Sequence, residues 1–124
     1  MARAARTASA PQRAFFDVLA RCGKLIVAIG PQGISANLVG TLRLRRHGLD
    51  DLLDVDDGTH HVHVDWSRVK RVEIGASGGE GLITLHDGAE ALFRIYRSEG
   101  PYPAAVSRLA DVALWPPDAG EGAG

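Results

Sequence analysis

The apolar positions of the chain first repeat at helical spacing. Phe15, Val18, Leu19 and Cys22 fall at i, i+3, i+4 and i+7, the stripe that one face of an amphipathic helix buries. Pro11 suits a first helical turn, Ser9 lies upstream as a cap, and Gly23 supplies the stop, so the pattern predicts a helix over 11–22 with Cys22 in the core. From Lys24 the period changes. Leu25–Ile29 is an apolar run of strand length, followed by the turn residues Gly30-Pro31-Gln32-Gly33. Between Ile34 and Arg46 the residues alternate. Ile34, Ala36, Leu38, Gly40, Leu42 and Leu44 point one way, and Ser35, Asn37, Val39, Thr41, Arg43 and Arg45 the other, which predicts one long half-buried strand. Gly40 at its middle marks a bulge or a place where something approaches the backbone closely.

Leu52–Val55 reads as a further short strand, ending at Asp56-Asp57-Gly58. In His60–Trp66 the alternation groups His60 with Val62, Val64 and Trp66, which predicts a buried, hydrogen-bonded His60. It leaves His61, His63 and Asp65 on a polar face. Asp65 also fits as the cap of one helical turn in which Trp66 meets Val69. Lys70–Ile74 resumes as a strand, and 76–81 is a glycine-rich loop. Leu82–His86 and Ala89–Tyr96 form the clearest hairpin, because Asp87-Gly88 suits a two-residue turn. His86, beside that turn, is expected to be exposed. Pro101 and Pro103 introduce a closing helix whose Tyr102, Val106, Leu109 and Ala113 share a face, and Pro116-Pro117 ends it. The class expected is α+β: an antiparallel sheet of about seven strands with an N-terminal and a C-terminal helix. One domain over 11–115 is expected between a disordered tail at 1–10 and an acidic, glycine-rich tail at 116–124.

Composition narrows the function classes. The chain has 124 residues, enough for one core, with 45% hydrophobic and 23% charged residues. Fourteen basic against fifteen acidic residues leave a net charge of −1, so no global field favours nucleic acid or an anionic membrane. The longest apolar stretch, Leu25–Ile29, falls far short of the roughly 20 residues a crossing helix needs. Cys22 is the only cysteine, which fits a reducing cytoplasm. No GxSxG elbow is present, and the loop at 75–81 lacks the Lys-Ser/Thr of a phosphate-binding loop. Asp50-Asp51 and Asp56-Asp57 read as loop acids that serve solubility. No catalytic residue is expected. His61 and His63, about 6–7 Å apart on one strand face, could form a metal set with Asp65, although capping competes for that carboxylate.

Several short blocks stand in a suggestive order: Gly23-Lys24-Leu25, Gly40-Thr41-Leu42, Arg46-His47-Gly48, Gly58–Val64, and Ala91-Leu92-Phe93-Arg94-Ile95-Tyr96. Through them the span 23–113 resembles the ChuX/HutX family and one half of the duplicated HemS proteins. The resemblance implies an antiparallel haem-utilisation fold, a cytoplasmic carrier that binds haem and hands it onward, and pairing into a homodimer. It departs from the family in having about one helix ahead of Gly23, and in placing Arg45 where a further histidine often precedes the arginine-histidine-glycine element.

Alternation sets His47 on one strand face with Arg43 and Arg45, offering iron an imidazole and the two propionates two guanidiniums. His63, at the family's glycine-histidine position, is a second pocket candidate. Tyr96, pointing opposite Phe93 and Ile95, offers a hydroxyl to iron or to a propionate. Against this stand simpler assignments: the Arg43–His47 segment as the solvated end of a strand, Trp66 and Phe93 as core, and the whole chain as a non-catalytic interaction or structural domain that binds no haem. Haem degradation would need a reductant and an oxygen-activating pocket that the sequence does not reveal.

Overall fold

Ser9 opens the first helix with a reciprocal cap. Its hydroxyl accepts from the Gln12 N–H, and the Gln12 side chain accepts from the Ser9 N–H at 2.8 Å, which satisfies two donors a helix start leaves open. A computed structural model describes residues 6–31, 33–75, 81–98 and 102–111. Within them, helix α1 (Ala10–Leu19) leads to strands β1 (Leu25–Ile29), β2 (Ala36–Gly40), β3 (Leu42–His47), β4 (Asp50–Val55) and β5 (His60–His63). A 3-10 turn at Trp66–Arg68 precedes β6 (Arg71–Ile74), β7 (Leu82–Asp87), β8 (Glu90–Tyr96) and helix α2 (Ala104–Asp111).

The class is α+β, with eight strands among the described residues where about seven were expected. They form two antiparallel sheets: a larger one in the order β2-β1-β8-β7-β6 and a smaller one in the order β3-β4-β5. The extra strand arises because the expected single strand over 34–46 breaks after Gly40. There the backbone passes so close to Asp56 that a Cβ on Gly40 would lie 2.4 Å from the Asp56 Cα. The Asp56 N–H then donates to the Thr41 carbonyl at 2.9 Å. Close approach, one of the two roles expected of Gly40, turns the chain from one sheet into the other.

The core lies between the sheets and α1. Phe15, Phe16 and Leu19 meet Leu25 and Val27 of β1, Leu53 and Val55 of β4, and Phe93 and Ile95 of β8, all buried. Trp66 and Phe93 are core residues, as alternation allowed. The Trp66 ring stands edge-on to Phe16 at 5.3 Å, and its Nε1 donates to the Asp51 carbonyl at 2.9 Å. Gln12 is fully buried and its amide donates to the carbonyls of Trp66 and Val69 at 3.0 and 3.2 Å, which pins α1 over the 3-10 turn. Asp65 caps that turn, accepting from the Ser67 N–H and hydroxyl. At the far end Tyr102 and Val106 enter the core, and the Tyr102 hydroxyl donates to the Ile95 carbonyl at 3.0 Å. The tail at 116–124 and residue Ala113 lie outside the described residues. No helix among the described residues is long and apolar enough to cross a membrane.

Two expectations about burial are reversed. His86 is buried beside the turn, not exposed, because the Glu73 carboxylate on neighbouring β6 holds its Nε2 at 2.9 Å. His60 is exposed, not buried, since β5 is the outer strand of the small sheet and His60 stands at its open end, opposite Val55. At Gly40, replacement by alanine should destabilise the fold by about 2–3 kcal/mol, because the backbone of Asp56 cannot yield as a side chain would. Urea unfolding measures it, and an unchanged midpoint would show that the two segments separate freely.

Candidate functional site

Register brings four of the five residues expected at a haem site onto one face of the small sheet. Opposed residues of adjacent antiparallel strands share a face. Arg43 opposes Asp54, which opposes His61; Arg45 opposes Leu52, which opposes His63; and His47 opposes Asp50. Arg43, Arg45, His47 and His63 are therefore coplanar, with β4 between them. Tyr96 belongs to the larger sheet and does not join them.

What lies between them changes their chemistry. Asp54 is 1% exposed, and a buried carboxylate requires paired charge. The Arg45 Nε donates to its Oδ2 at 2.7 Å, and the Arg43 guanidinium lies 3.8 Å from the same oxygen. The two guanidiniums expected to hold propionates are thus partly committed within the sheet. The terminal nitrogens of Arg45 keep no partner among the described residues, and Arg43 makes the 3.8 Å ion pair without a hydrogen bond there. Asp54 Oδ1 is buried without a hydrogen-bond partner there. His47 is exposed at the end of β3.

On the other face of β4, Asp51 does the corresponding work. Its carboxylate accepts from Arg46 Nε at 2.9 Å, from the Ala8 N–H at 2.9 Å and from the Arg13 guanidinium. The Asp51 N–H donates to the Arg6 carbonyl, and the Arg6 N–H donates to Asp50. Residues 6–9 of the expected tail are therefore fastened to β4. Asp50 and Asp51 are buried strand residues and not the solubility acids expected from sequence. Burial pushes the Asp51 carboxyl up, but the Ala8 N–H and the guanidiniums of Arg46 and Arg13 outweigh it and hold the group below the usual carboxylate value.

In three of the clefts lined by described residues, no two of the five expected residues meet. One, about 540 Å3, lies over the larger sheet and includes Arg94 and Tyr96. A second, about 190 Å3, runs beside the β5 edge, where Ile29, Val62, Val64, Leu92 and Phe93 form an apolar lining and His63 stands with Arg68. A third, about 210 Å3, includes Arg43 with Asp54 and Asp57. Of these three clefts, the second is the one that sets an expected histidine, His63, against an apolar lining.

The metal set does not assemble. The His61 and His63 rings stand 5.3 Å apart, edge to face, but Asp65 is engaged by Ser67. Among the described residues no group of three or more His, Cys, Asp or Glu side chains is placed to hold a metal ion. Cys22 is buried, and burial raises its thiol pKa against the opposing effect of Arg97, so it is not poised as a nucleophile. No family model and no curated protein matches the chain.

Sequence reasoning missed the β4 acids and the Arg94 cleft. Alternation could have revealed the second, since it sets Arg94 and Tyr96 on one face, opposite the core residues Phe93 and Ile95. For Asp51, conversion to Asn should cost about 2 kcal/mol at neutral pH, through weakened charge-assisted bonds. An unfolded aspartate titrates near about 3.9, and folded Asp51 lies lower. Its contribution is therefore complete above the unfolded value and disappears as pH falls through the folded one. Urea unfolding across that acid range should show wild type and Asp51→Asn converging; a gap that persists in strong acid would contradict the assignment.

Proposed function

We propose that the chain is a cytoplasmic haem carrier with the fold of the ChuX/HutX and HemS proteins, and that His63 is the residue that faces iron. The order of the sequence blocks supports the family assignment, and the antiparallel architecture is compatible with it. The observation that carries the site is the register Arg45–Leu52–His63 across β3, β4 and β5. Strands are about 4.8 Å apart, so an imidazole and a guanidinium with free terminal nitrogens face each other across the apolar Leu52, roughly 10 Å apart. The apolar cleft adjoins that imidazole.

Haem needs a nitrogen or sulfur donor for iron, cations for its propionates and an apolar wall for the ring. His63, Arg45 and the cleft beside Leu92 and Phe93 supply one of each. His47, first choice from the sequence, has no such wall. A cleft near 190 Å3 is below the roughly 300–1,000 Å3 that encloses a drug-sized ligand. One edge of the macrocycle enters it and the rest stays open, which suits a carrier that must release its cargo.

The pairing of both Arg43 and Arg45 with Asp54 favours a second reading, an interaction or structural domain of the same architecture without a ligand. Hemin titration followed by absorbance separates the two. The carrier shows saturable binding that His63→Ala weakens by about tenfold or more, the scale of one lost ligand contact of 1.4 kcal/mol, while His47→Ala leaves it nearly unchanged. Equal binding by His63→Ala and wild type would sink the site, and absence of saturable binding in wild type would leave the second reading.

A further inference from the structure

The cleft over the larger sheet has no part in the haem site, and its chemistry is of one kind. On the outer face of that sheet, Asn37 of β2 opposes Ala28 of β1, which opposes Arg94 of β8. The next row on that face places Ile26 beside Tyr96. The Ala28 methyl is a low floor, and across about 10 Å, two strand spacings, an amide faces a guanidinium.

Arg94 is half-buried and has no hydrogen-bond or ion-pair partner among the described residues. That sets it apart from Arg13, Arg43, Arg45, Arg46 and Arg68, each of which is paired with a carboxylate. A guanidinium taken partly out of water without a counter-charge gives up hydration for nothing in return. Among the described residues that line the cleft there is no acid. The Ser35 hydroxyl donates to Asn37 Oδ1 at 3.1 Å, which occupies the amide oxygen and leaves its NH2 group as a donor. Arg94, Asn37 and the Tyr96 hydroxyl therefore present donors toward one space of about 540 Å3.

Gly30 folds the β1–β2 loop over this space. Its φ of +134° is one that side chains rarely adopt, and a Cβ there would meet the Ile34 carbonyl oxygen at 2.4 Å. The loop places Ile34, 71% exposed, at the cleft rim, with Tyr96 also exposed on the floor side. Flat aromatic and aliphatic surfaces thus flank the donors, an arrangement that takes a planar body by stacking.

The geometry points to a binding site for a planar organic carboxylate: the acid lies bidentate on Arg94 with Asn37 as second donor, and the ring lies against Tyr96 and Ile34. A carboxylate fits better than a phosphate because the cleft supplies one cation, which balances a single negative charge, and because the guanidinium fork matches two coplanar oxygens.

The probe is 2-naphthoate, titrated into the whole chain and followed by amide NMR shifts. Saturable binding near about 1 mM, with shifts at Ala28, Asn37, Arg94 and Tyr96, is expected for one ion pair and one stacked ring. Arg94→Gln should weaken it at least about tenfold, Asn37→Ala should weaken it less, and His63→Ala should leave it unchanged. Cyclohexanecarboxylate should bind more weakly than naphthoate in wild type, and Tyr96→Leu should remove that difference. Binding that survives Arg94→Gln and Asn37→Ala alike, or inorganic phosphate that displaces naphthoate at equal concentration, overturns the site. Hemin serves as a separate arm. Displacement of naphthoate by hemin, with hemin affinity lost in Arg94→Gln and kept in His63→Ala, would support this cleft as a carboxylate site and refute the His63 assignment alone.

Discussion

Strand β4 must bury three carboxylates. It is the central strand of the small sheet, every residue from Asp50 to Val55 is buried, and a charge removed from water is tolerated only beside an opposite charge and with its oxygens hydrogen-bonded. The fold supplies the opposite charge from both faces at once, and of the Asp54 oxygens only Oδ2 is hydrogen-bonded among the described residues. Arg43 and Arg45 serve Asp54 on one face, while Arg46, Arg13 and the Ala8 N–H serve Asp51 on the other. The basic β3 strand, the entry angle of α1 and the placement of residues 6–9 all follow from satisfying β4.

The same constraint decides which residues are available for a ligand. Arginines on a strand next to a histidine suggest anion recognition, but a guanidinium already facing a buried carboxylate offers less to an incoming one. Where Asp54 engages only Nε of Arg45, the terminal nitrogens remain. Where no carboxylate is paired with it among the described residues, as at Arg94, the whole group remains. In the proposed readings, ligand chemistry is thereby displaced from the middle of β3 toward the β5 edge and toward the outer face of the larger sheet.

The parts of the fold legible in the sequence are those fixed by neighbours in the chain. The Ser9 cap, the Asp65 cap, the β7–β8 hairpin and the inward Phe93 and Ile95 beside an outward Tyr96 depend on spacing of a few residues, and the structure shows them, with the hairpin turn one residue later than expected: Asp87 pairs with Glu90 and the turn residues are Gly88-Ala89. The break at Gly40 was half legible: the glycine signalled a close approach, but its partner Asp56 comes from a later turn. Asp50 and Asp51 looked like loop acids because their burial depends on guanidiniums from β3 and α1, which no local pattern couples to them. His86 was misplaced for a similar reason, its partner Glu73 lying across a strand pair. Of the expected site, the alternation that grouped Arg43, Arg45 and His47 was correct in geometry, and the β3–β4–β5 register added His63 to them. The commitment of the arginines to Asp54 was invisible, because it required knowing which strand lay alongside.

The claim that β4 spends the β3 arginines, leaving His63 and its apolar cleft to meet a porphyrin, is tested most directly by mapping a diamagnetic analogue. Gallium protoporphyrin should perturb the backbone amides of His63, Val64, Leu92 and Phe93 while the Arg43, Arg45 and Arg46 Nε–H signals keep their positions. Perturbations concentrated at Arg43 to His47, with the Arg45 Nε–H signal moving as its bond to Asp54 breaks, would contradict the account.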